Sequence, residues 1–278
     1  MMMRSPVLST DARVRPPKRA DSSRSLRLLS FELSSLSEEL RAPLEEYDVH
    51  TWHANSKTCP FQSHELIRLL SKDELDRMAR FHFEQDRQDF AFARGMLRTL
   101  LGRYLAIAPE ALRFSYAEHG KPSLAMPRLE PDLQFNLSHT SGFVLVAICR
   151  GRQIGVDIEK LRSDIDVDDV AARFFSASER QALMSFPEAI RREAFFHCWT
   201  RKEALLKARG DGLFFPLGLF DVSIDAGDRV VTLVTRPDPA EAQQWRILRV
   251  NAPEGYAAAV AVASPSLEVT TGVGTVLG

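Results

Sequence analysis

Two acidic residues, Asp157 and Glu159, stand two positions apart in the segment Gly-Val-Asp-Ile-Glu at 155–159. If this segment is a strand, its side chains alternate between faces, so the two carboxylates share one face while Val156 and Ile158 enter the core. Carboxylates on one face repel each other unless a cation or solvent separates them. Oxygen ligands suit Mg²⁺, which proteins commonly hold with one or two carboxylates, water and substrate phosphates. A solvated strand face is the alternative interpretation.

A second set of charged residues lies in a predicted helix over 191–209. Glu203 and Lys207 are four residues apart and therefore adjacent on the helix surface, where a simple ion pair is the alternative to a chemical role. Lys202 falls within the apolar stripe of the same helix. A buried ammonium there requires a carboxylate or a phosphate nearby, unless the side chain reaches the surface.

Two polar turns offer groups that bind anions. The first, Phe-Asn-Leu-Ser-His-Thr-Ser-Gly at 135–142, presents backbone N–H groups, the Ser138 hydroxyl and the His139 ring at the end of a predicted strand. The second, Gly-Lys-Pro at 120–122, holds a lysine between a flexible and a rigid residue. An exposed loop is the alternative for each. The nucleophile elbow of a hydrolase is excluded in form, because the sequence contains no Gly-x-Ser-x-Gly.

The elements that must position these residues follow the same order in both halves of the chain. Each half predicts a strand, a helix that begins with a capping box, and a long helix. The strands are 48–54 and 153–159, the capping boxes begin at Ser71 and Ser176, and the long helices span 88–105 and 191–209, the second ending at Gly210. A shift of 105 residues superposes the two sets and places Glu74 on Glu179. We therefore predict two duplicated lobes with a ligand cleft at their junction.

The domain organisation follows from this order and from the composition of the ends. Residues 1–25, rich in arginine, proline and serine, lack the apolar stretch of a secretory signal and predict a disordered tail. Asp11, Asp21 and the Pro16-Pro17 pair weaken the alternative of a transit peptide. An extension over 26–45 with a helix at 26–44, an N-terminal lobe over 46–142, a C-terminal lobe with the metal site over 143–264 and a tail over 265–278 complete the prediction.

Composition excludes several classes of protein. The chain has 36 Lys and Arg against 37 Asp and Glu, so no basic excess attracts nucleic acid or an anionic membrane. The longest apolar runs, 143–149 and 256–263, are far shorter than the ~20 residues that a membrane helix requires. Its three widely spaced cysteines indicate no disulfide framework, so we expect a cytoplasmic protein.

Taken together and in this order, the motifs resemble those of the 4'-phosphopantetheinyl transferases, more narrowly the larger single-chain, two-lobed class that activates peptide and polyketide synthetases. The resemblance covers about 49–263 and rests on Gly-Lys-Pro at 120–122, Phe-Asn-Leu-Ser-His at 135–139, Gly-Val-Asp-Ile-Glu at 155–159, Phe-Phe-Ser-Ala-Ser-Glu at 174–179, Trp-Thr-Arg-Lys-Glu-Ala-Leu-Leu-Lys at 199–207 and Gly-Asp-Gly-Leu at 210–213. It implies an α+β fold of two similar lobes related by pseudo-twofold symmetry, each a small sheet packed with a long helix.

The resemblance also implies an activity. Such an enzyme takes coenzyme A with Mg²⁺ and transfers the phosphopantetheine arm to a serine of an apo acyl or peptidyl carrier protein or domain, releasing adenosine 3',5'-bisphosphate. Its partners are coenzyme A and the carrier, with no nucleic acid and no membrane, and it acts as a monomer. By position, Asp157, Glu159 and Glu203 would bind the metal on the pyrophosphate, Lys207 would lie against the departing phosphate, and Glu203 would serve as the base.

The nucleotide end of coenzyme A is assigned in the same way. The residues that the resemblance implies as contacts are Arg77, Lys121, Pro122, Asn136, Ser138, His139, Lys202 and Lys207. Among them Arg77 takes the position of a basic contact with the 3'-phosphate, and Arg80 and Arg94 are looser candidates. Glu179 matches a position linked to activity but also completes a capping box, so both interpretations stay open. Trp199 lies within a motif and is predicted to pack in the core.

Two other functions use the same residues. An Asp-x-Glu pair with a nearby lysine also serves a metal-dependent phosphodiesterase or nuclease, which would need a basic groove that the balanced charge does not suggest. A non-catalytic scaffold that binds coenzyme A is the second alternative. It is disfavoured because all the implied catalytic positions are filled.

Overall fold

A computed structural model of the protein describes residues 25–33, 43–59, 61, 63–126, 133–210, 212, 215–225, 227–264 and 268–273. The N-terminal lobe is built on a five-stranded sheet. Its strands are β1 (Ser25–Glu32), β2 (Asp48–Asn55), β5 (Leu133–Thr140), β6 (Phe143–Arg150) and β13 (Glu268–Val273), in the spatial order β13-β1-β2-β6-β5. β1 is parallel to both neighbours, and the other pairs are antiparallel.

Three helices and a hairpin connect β2 to β5 in this lobe. They are α1 (Ser63–Arg68), α2 (Lys72–Met78), α3 (Glu84–Leu105) and the hairpin of β3 (Arg113–Tyr116) with β4 (Pro122–Met126). The capping box predicted at Ser71 begins α2, and the predicted long helix is α3, which starts four residues earlier than expected. The sequence signals for element type are therefore confirmed, with shifted boundaries.

The C-terminal lobe repeats this construction. Its sheet has the order β7-β12-β11-β9, formed by β7 (Ile154–Lys160), β9 (Val230–Val231), β11 (Trp245–Arg249) and β12 (Tyr256–Ala263), and β8 (Phe220–Val222) pairs with β10 (Leu233–Thr235). Its helices are α4 (Val167–Phe174), α5 (Ala177–Ser185) and α6 (Glu188–Arg209). The capping box at Ser176 begins α5, and Gly210, with a left-handed φ of 83°, ends α6 as expected.

The two lobes share one topology, which confirms the predicted α+β fold of two similar halves. In each lobe a first strand, β2 or β7, is followed by helices and later by two antiparallel strands, β5 and β6 or β11 and β12. The last strand, β6 or β12, lies between the other two and pairs with both, which gives the orders β2-β6-β5 and β7-β12-β11. The shift of 105 residues holds for the first strands and the capping boxes. The long helices instead match at 104, because their first residues, last residues and left-handed C-caps all differ by that number.

Alternating side chains on the central strands divide the core into three layers. Val144, Val146 and Ile148 of β6 face α3, whereas Leu145 and the next alternate residues face the second sheet. β12 divides in the same way between α6 and the first sheet. The two sheets therefore pack face to face between the long helices, which joins the lobes through a continuous apolar layer.

Three predictions at the segment ends are corrected. The helix expected over 26–44 is wrong where the structure describes it, because Ser25–Glu32 is strand β1, and residues 34–42 lie outside the described part. The C-terminal tail contributes β13, whose pairing with β1 is decided by contacts distant in sequence. The boundary expected at 142 moves to 150, since β6 pairs with β2 and β5.

Residues 1–24 of the predicted disordered tail lie outside the described residues. Within those residues, no helix is long and apolar enough to cross a membrane.

Candidate active site

The junction between the lobes is formed by β5 and β7, which side chains connect. The amide oxygen of Asn136 accepts a hydrogen bond from the backbone N–H of Val156 (2.9 Å), and the Ser138 hydroxyl accepts one from Ile158 (3.4 Å). Asn136 and Ser138 are both buried. These two predicted ligand contacts therefore hold β7 against the first lobe, which places the acidic residues of β7 at the junction.

Gly155 allows α6 to lie directly on β7. A Cβ atom at this position would collide with the backbone nitrogen of Ala208 and the carbonyl oxygen of Ala204, and would stand 2.7 Å from the carbonyl carbon of Lys207. Only glycine permits such an approach. The close contact brings the side chains of Glu203 and Lys207, on the last turns of α6, over the carboxylate of β7.

Asp157 is the centre of this arrangement and is only 3% exposed. Its Oδ1 accepts hydrogen bonds from the Ser138 hydroxyl (2.8 Å) and from the Lys207 ammonium (2.6 Å), which also donates to Ser138 Oγ (3.0 Å). Its Oδ2 is buried and has no hydrogen-bond partner. The carboxylate is thus neutralised on one side and unsatisfied on the other.

The two other predicted metal ligands lie close enough to interact with Asp157. Burial, reinforced by the charges of Asp157 and Glu159, raises the pKa of Glu203 to about 7, and its Oε1 is buried without a hydrogen-bond partner. Burial and then the charge of Asp157 raise the pKa of Glu159, which accepts a hydrogen bond from the Thr140 hydroxyl (3.3 Å). The three carboxylates therefore repel one another in a poorly solvated place.

The carboxylate oxygens of this site are the type of ligand that a hard divalent cation such as Mg²⁺ prefers. Oxygen atoms of Asp157 and Glu203 are buried and unpartnered, which is costly unless a cation or a donor approaches them. Within the described residues, however, no three His, Cys, Asp or Glu side chains are arranged closely enough to hold a metal ion. In this geometry the Lys207 ammonium supplies the positive charge beside Asp157.

Two of the predicted nucleotide contacts lie near the first turns of α3. Arg77, at the end of α2, is exposed, and its guanidinium carbon lies 5.7 Å from the centroid of the Phe90 ring. His139, at the end of β5, is also exposed. The neighbouring protein nevertheless desolvates its ring, which lowers the pKa of His139. The charge of Asp89 opposes this shift and the charge of Lys207 adds to it. Arg77 and His139 are thus both accessible to a ligand.

Three other basic candidates are engaged within the protein. Arg94 is buried, where it donates to Glu74 (2.7 Å) and to the Tyr116 hydroxyl (2.7 Å). Lys202 is fully buried, and Lys121 donates to three backbone carbonyls. Their positive groups are used inside the fold. Arg80 is exposed at the end of α2.

Glu179 is the carboxylate that Lys202 required. The Lys202 ammonium donates to both oxygens of Glu179 (2.7 and 2.8 Å) and to the Phe220 carbonyl (2.7 Å). Glu179 also accepts from the backbone N–H groups of Ser176 and Val222. Both residues therefore belong to the core of the C-terminal lobe, and the contact with coenzyme A implied for Lys202 is corrected because its ammonium is buried against Glu179. Trp199 packs against the same core, as predicted, stacking on Phe195.

Sequence reasoning missed two residues of the site. Thr140 donates to Glu159, and Gly155 admits α6. The signal for Thr140 was present in the alternation of β5, because Ser138 and Thr140 share a face as Asp157 and Glu159 do on β7. Gly155 could have been recognised as a glycine inside an apolar strand, which often marks the close approach of another backbone.

The chain matches family models over both lobes. The model described as the 4'-phosphopantetheinyl transferase superfamily matches residues 153–261, and the model of the N-terminal part of 4'-phosphopantetheinyl transferase matches residues 51–150. These limits agree with the lobe boundary that β6 defines. The class of protein that the fold and these two matches define is a two-lobed 4'-phosphopantetheinyl transferase.

Curated relatives extend over most of the chain. The 4'-phosphopantetheinyl transferase HetI of Nostoc sp. is 38% identical over 219 residues, which is 78% of this chain and 88% of the relative. The transferase Sfp of Bacillus subtilis is 29% identical over 73% of this chain and 87% of its own length, and the L-aminoadipate-semialdehyde dehydrogenase-phosphopantetheinyl transferase of mouse is 30% identical over 72% and 69%. The chain therefore belongs to the 4'-phosphopantetheinyl transferase superfamily.

Proposed function

We propose that the protein transfers the 4'-phosphopantetheine group from coenzyme A to a serine of an apo acyl or peptidyl carrier protein, releases adenosine 3',5'-bisphosphate and depends on Mg²⁺. One observation supports this most strongly: Asp157 Oδ2 and Glu203 Oε1 are buried without partners beside the Lys207 ammonium. Such a place suits a cation and a pyrophosphate. The names of the relatives support the class of group that is transferred.

In the proposed reaction the serine oxygen forms a bond to the phosphorus that carries the pantetheine arm, and the bond from this phosphorus to the bridging pyrophosphate oxygen breaks. Glu203 accepts the serine proton, a role that its carboxylate can fill because its Oε1 lies buried without a hydrogen-bond partner in the same site as Asp157. Mg²⁺, when bound by Asp157, Glu159 and Glu203, would neutralise charge on the pyrophosphate. Lys207 stabilises the departing phosphate, which remains with the nucleotide.

The nucleotide end is proposed to lie along the first lobe. Arg77 and His139 are both exposed and would contact phosphate oxygens, with Arg77 at the 3'-phosphate. Pro122 and the rest of the Gly-Lys-Pro turn would shape this side through the backbone. The proposed enzyme is a cytoplasmic monomer whose partners are coenzyme A and the carrier, with no membrane or nucleic acid.

Mass spectrometry of the carrier tests the proposal directly. The protein is incubated with coenzyme A, Mg²⁺ and an apo carrier, and we expect the carrier to gain the mass of one phosphopantetheine arm. A carrier whose acceptor serine is replaced by alanine is the control. Cleavage of a phosphodiester substrate without a mass gain would support a nuclease instead. Binding of coenzyme A with neither result would support a scaffold.

A further inference from the structure

The side chain of Lys121 crosses from the N-terminal lobe to the C-terminal lobe. Its ammonium donates to the carbonyl oxygen of Ile154 (3.0 Å) at the start of β7, and to those of Lys207 (2.7 Å) and Ala208 (3.1 Å) in the last turn of α6. An ammonium has three hydrogens, so these bonds use all of its donors. None is left for a phosphate of a ligand.

The carbonyls of the last helical turn are natural partners for this cation. The final four carbonyl groups of a helix have no partner within it, and the C-terminal end of a helix carries a partial negative charge. Lys121 therefore caps α6 from the other lobe. Burial lowers the pKa of Lys121 to about 8, consistent with an ammonium surrounded by backbone and not by carboxylates.

This contact restrains Lys207 at its main chain while Asp157 restrains its side chain. The Lys207 carbonyl is held by Lys121, and its ammonium lies 2.6 Å from Asp157 Oδ1. The turn that carries Lys121 is itself constrained, because Ala117 accepts from the N–H of Gly120 (2.8 Å) and donates to the Lys121 carbonyl (3.0 Å). A rigid turn is thus tied to the helix end that presents Lys207.

We infer that Lys121 is a positioning residue, which acts through Lys207 by holding the end of α6 against β7 and does not bind the nucleotide phosphates through its ammonium. The inference rests on the proposed function, because the proposed role of Lys207 does. It replaces the contact with coenzyme A that the sequence motif implied for this side chain.

Lys121→Met keeps an unbranched side chain that is only one atom shorter and removes the three hydrogen bonds. We expect kcat to fall about 10- to 100-fold, since a displacement of about 1 Å at a reacting group is sufficient for such a loss. The KM for coenzyme A, and its Kd by calorimetry, change little. Lys207 should also be acetylated faster by an amine-reactive reagent, as read by mass spectrometry. Lys72→Met, at a lysine that is 86% exposed in the same lobe, is the matched control and should change none of these values.

Two results would overturn the inference: a raised Kd for coenzyme A with kcat retained, or no change in kcat and in the labelling of Lys207. If Lys121→Met does not fold, Lys121→Arg decides the question. Arginine binds phosphate well, so a phosphate contact predicts retained kcat and affinity. Positioning predicts a lowered kcat with an unchanged Kd, because a planar guanidinium does not reproduce the three bonds. If the wild-type protein transfers nothing to the carrier, the proposed function fails, whereas the labelling of Lys207 still tests the contact.

Discussion

The two lobes differ in the size of the residues at which the long helix contacts the first strand: they are large in the N-terminal lobe and small in the C-terminal lobe. In the N-terminal lobe, Nδ1 of His50 on β2 is hydrogen-bonded to the hydroxyl of Tyr104, the penultimate residue of α3 (2.6 Å). The matched positions of the C-terminal lobe are Gly155 and Ala208, whose backbones touch. Large side chains therefore mediate the contact in one lobe, and their loss in the other brings the end of α6 onto β7. This difference is what places Glu203 and Lys207 over Asp157.

The carboxylates of the C-terminal lobe have no acidic counterparts in the N-terminal lobe. Strand register and helix position match Asp157, Glu159 and Glu203 with Trp52, Ala54 and Thr99. Trp52 and Ala54 belong to the apolar core, and the Thr99 hydroxyl donates to a backbone carbonyl one turn earlier. The shared scaffold therefore does not itself create the site.

A buried ion pair, by contrast, is common to both lobes. Glu74 and Glu179 each complete a capping box and accept a cation from the matched position of the long helix, Arg98 and Lys202. Glu74 accepts a second cation, Arg94. The conserved place of these pairs in the two lobes indicates a structural role, because they join the short helix to the long one in each lobe.

The largest expected effect concerns the carboxylates of the C-terminal lobe. Asp157→Asn and Glu203→Gln should each lower the rate of transfer on the order of 10³-fold, because charge neutralisation provides most of the catalysis of phosphoryl transfer. Glu203→Gln should not lower the free energy of unfolding at pH 8 with EDTA, since it removes a buried charge. Asp164→Asn, at an exposed carboxylate of the same lobe, is the control. Near-normal turnover of either variant at limiting Mg²⁺ contradicts the assignment.

The close approach of α6 can be broken by one methyl group. Gly155→Ala forces α6 away from β7, because the Cβ has no space. We expect the free energy of unfolding to fall by about 3 kcal/mol, at the upper end of overpacking effects, and transfer to fall with it. Gly218→Ala, where nothing lies within 4 Å of the new Cβ, is the matched control. Equal urea midpoints for the two variants would show that helix and strand do not touch at Gly155.

The N-terminal lobe should show its own pH dependence through His50. Burial lowers the pKa of His50 to about 4, from 6.5 in the unfolded chain, with Asp48 and Arg27 acting in opposite directions. Between these values the unfolded chain binds a proton that the folded protein does not, so stability falls as the pH falls from 6.5 to 4, by at most about 3 kcal/mol. Urea unfolding of His50→Asn at pH 7.5 and 5 should show a smaller loss than wild type. The exposed His64→Asn should keep the wild-type loss.

The smallest expected effect concerns Arg77, a proposed nucleotide contact that the C-terminal lobe lacks. Arg77 occupies the sixth position of α2, and the matched residue of α5 is Ala182, so only the first lobe offers a cation there. Arg77→Ala should weaken binding of coenzyme A about 10- to 100-fold, the equivalent of roughly 1.5–3 kcal/mol for a charge-assisted hydrogen bond. Binding of dephospho-coenzyme A, which lacks the 3'-phosphate, should change little. Calorimetry of wild type and Arg77→Ala with both ligands measures all four affinities. Equal weakening of both ligands would show that Arg77 does not contact the 3'-phosphate.

Much of the architecture was already predictable from neighbouring residues. Both capping boxes, the C-terminal ends of the long helices, the strand with Asp157 and Glu159 and the duplication follow from turn chemistry and periodicity, which act over a few consecutive positions. The same holds for the requirement that Lys202 meet a carboxylate. These signals act between residues that are neighbours in the chain, so they do not depend on which distant segments meet.

Tertiary structure decided which groups meet. Lys121 and Lys202 both stand in ligand-like motifs, yet their ammonium groups are consumed by α6 carbonyls and by Glu179. Leu26 and Leu28 were compatible with a helix until pairing with β2 and β13 made them a strand. In each case the partner lies far away in the chain. Because a lysine ammonium can donate to a carbonyl, a carboxylate or a phosphate, only the three-dimensional arrangement determines which of them it reaches.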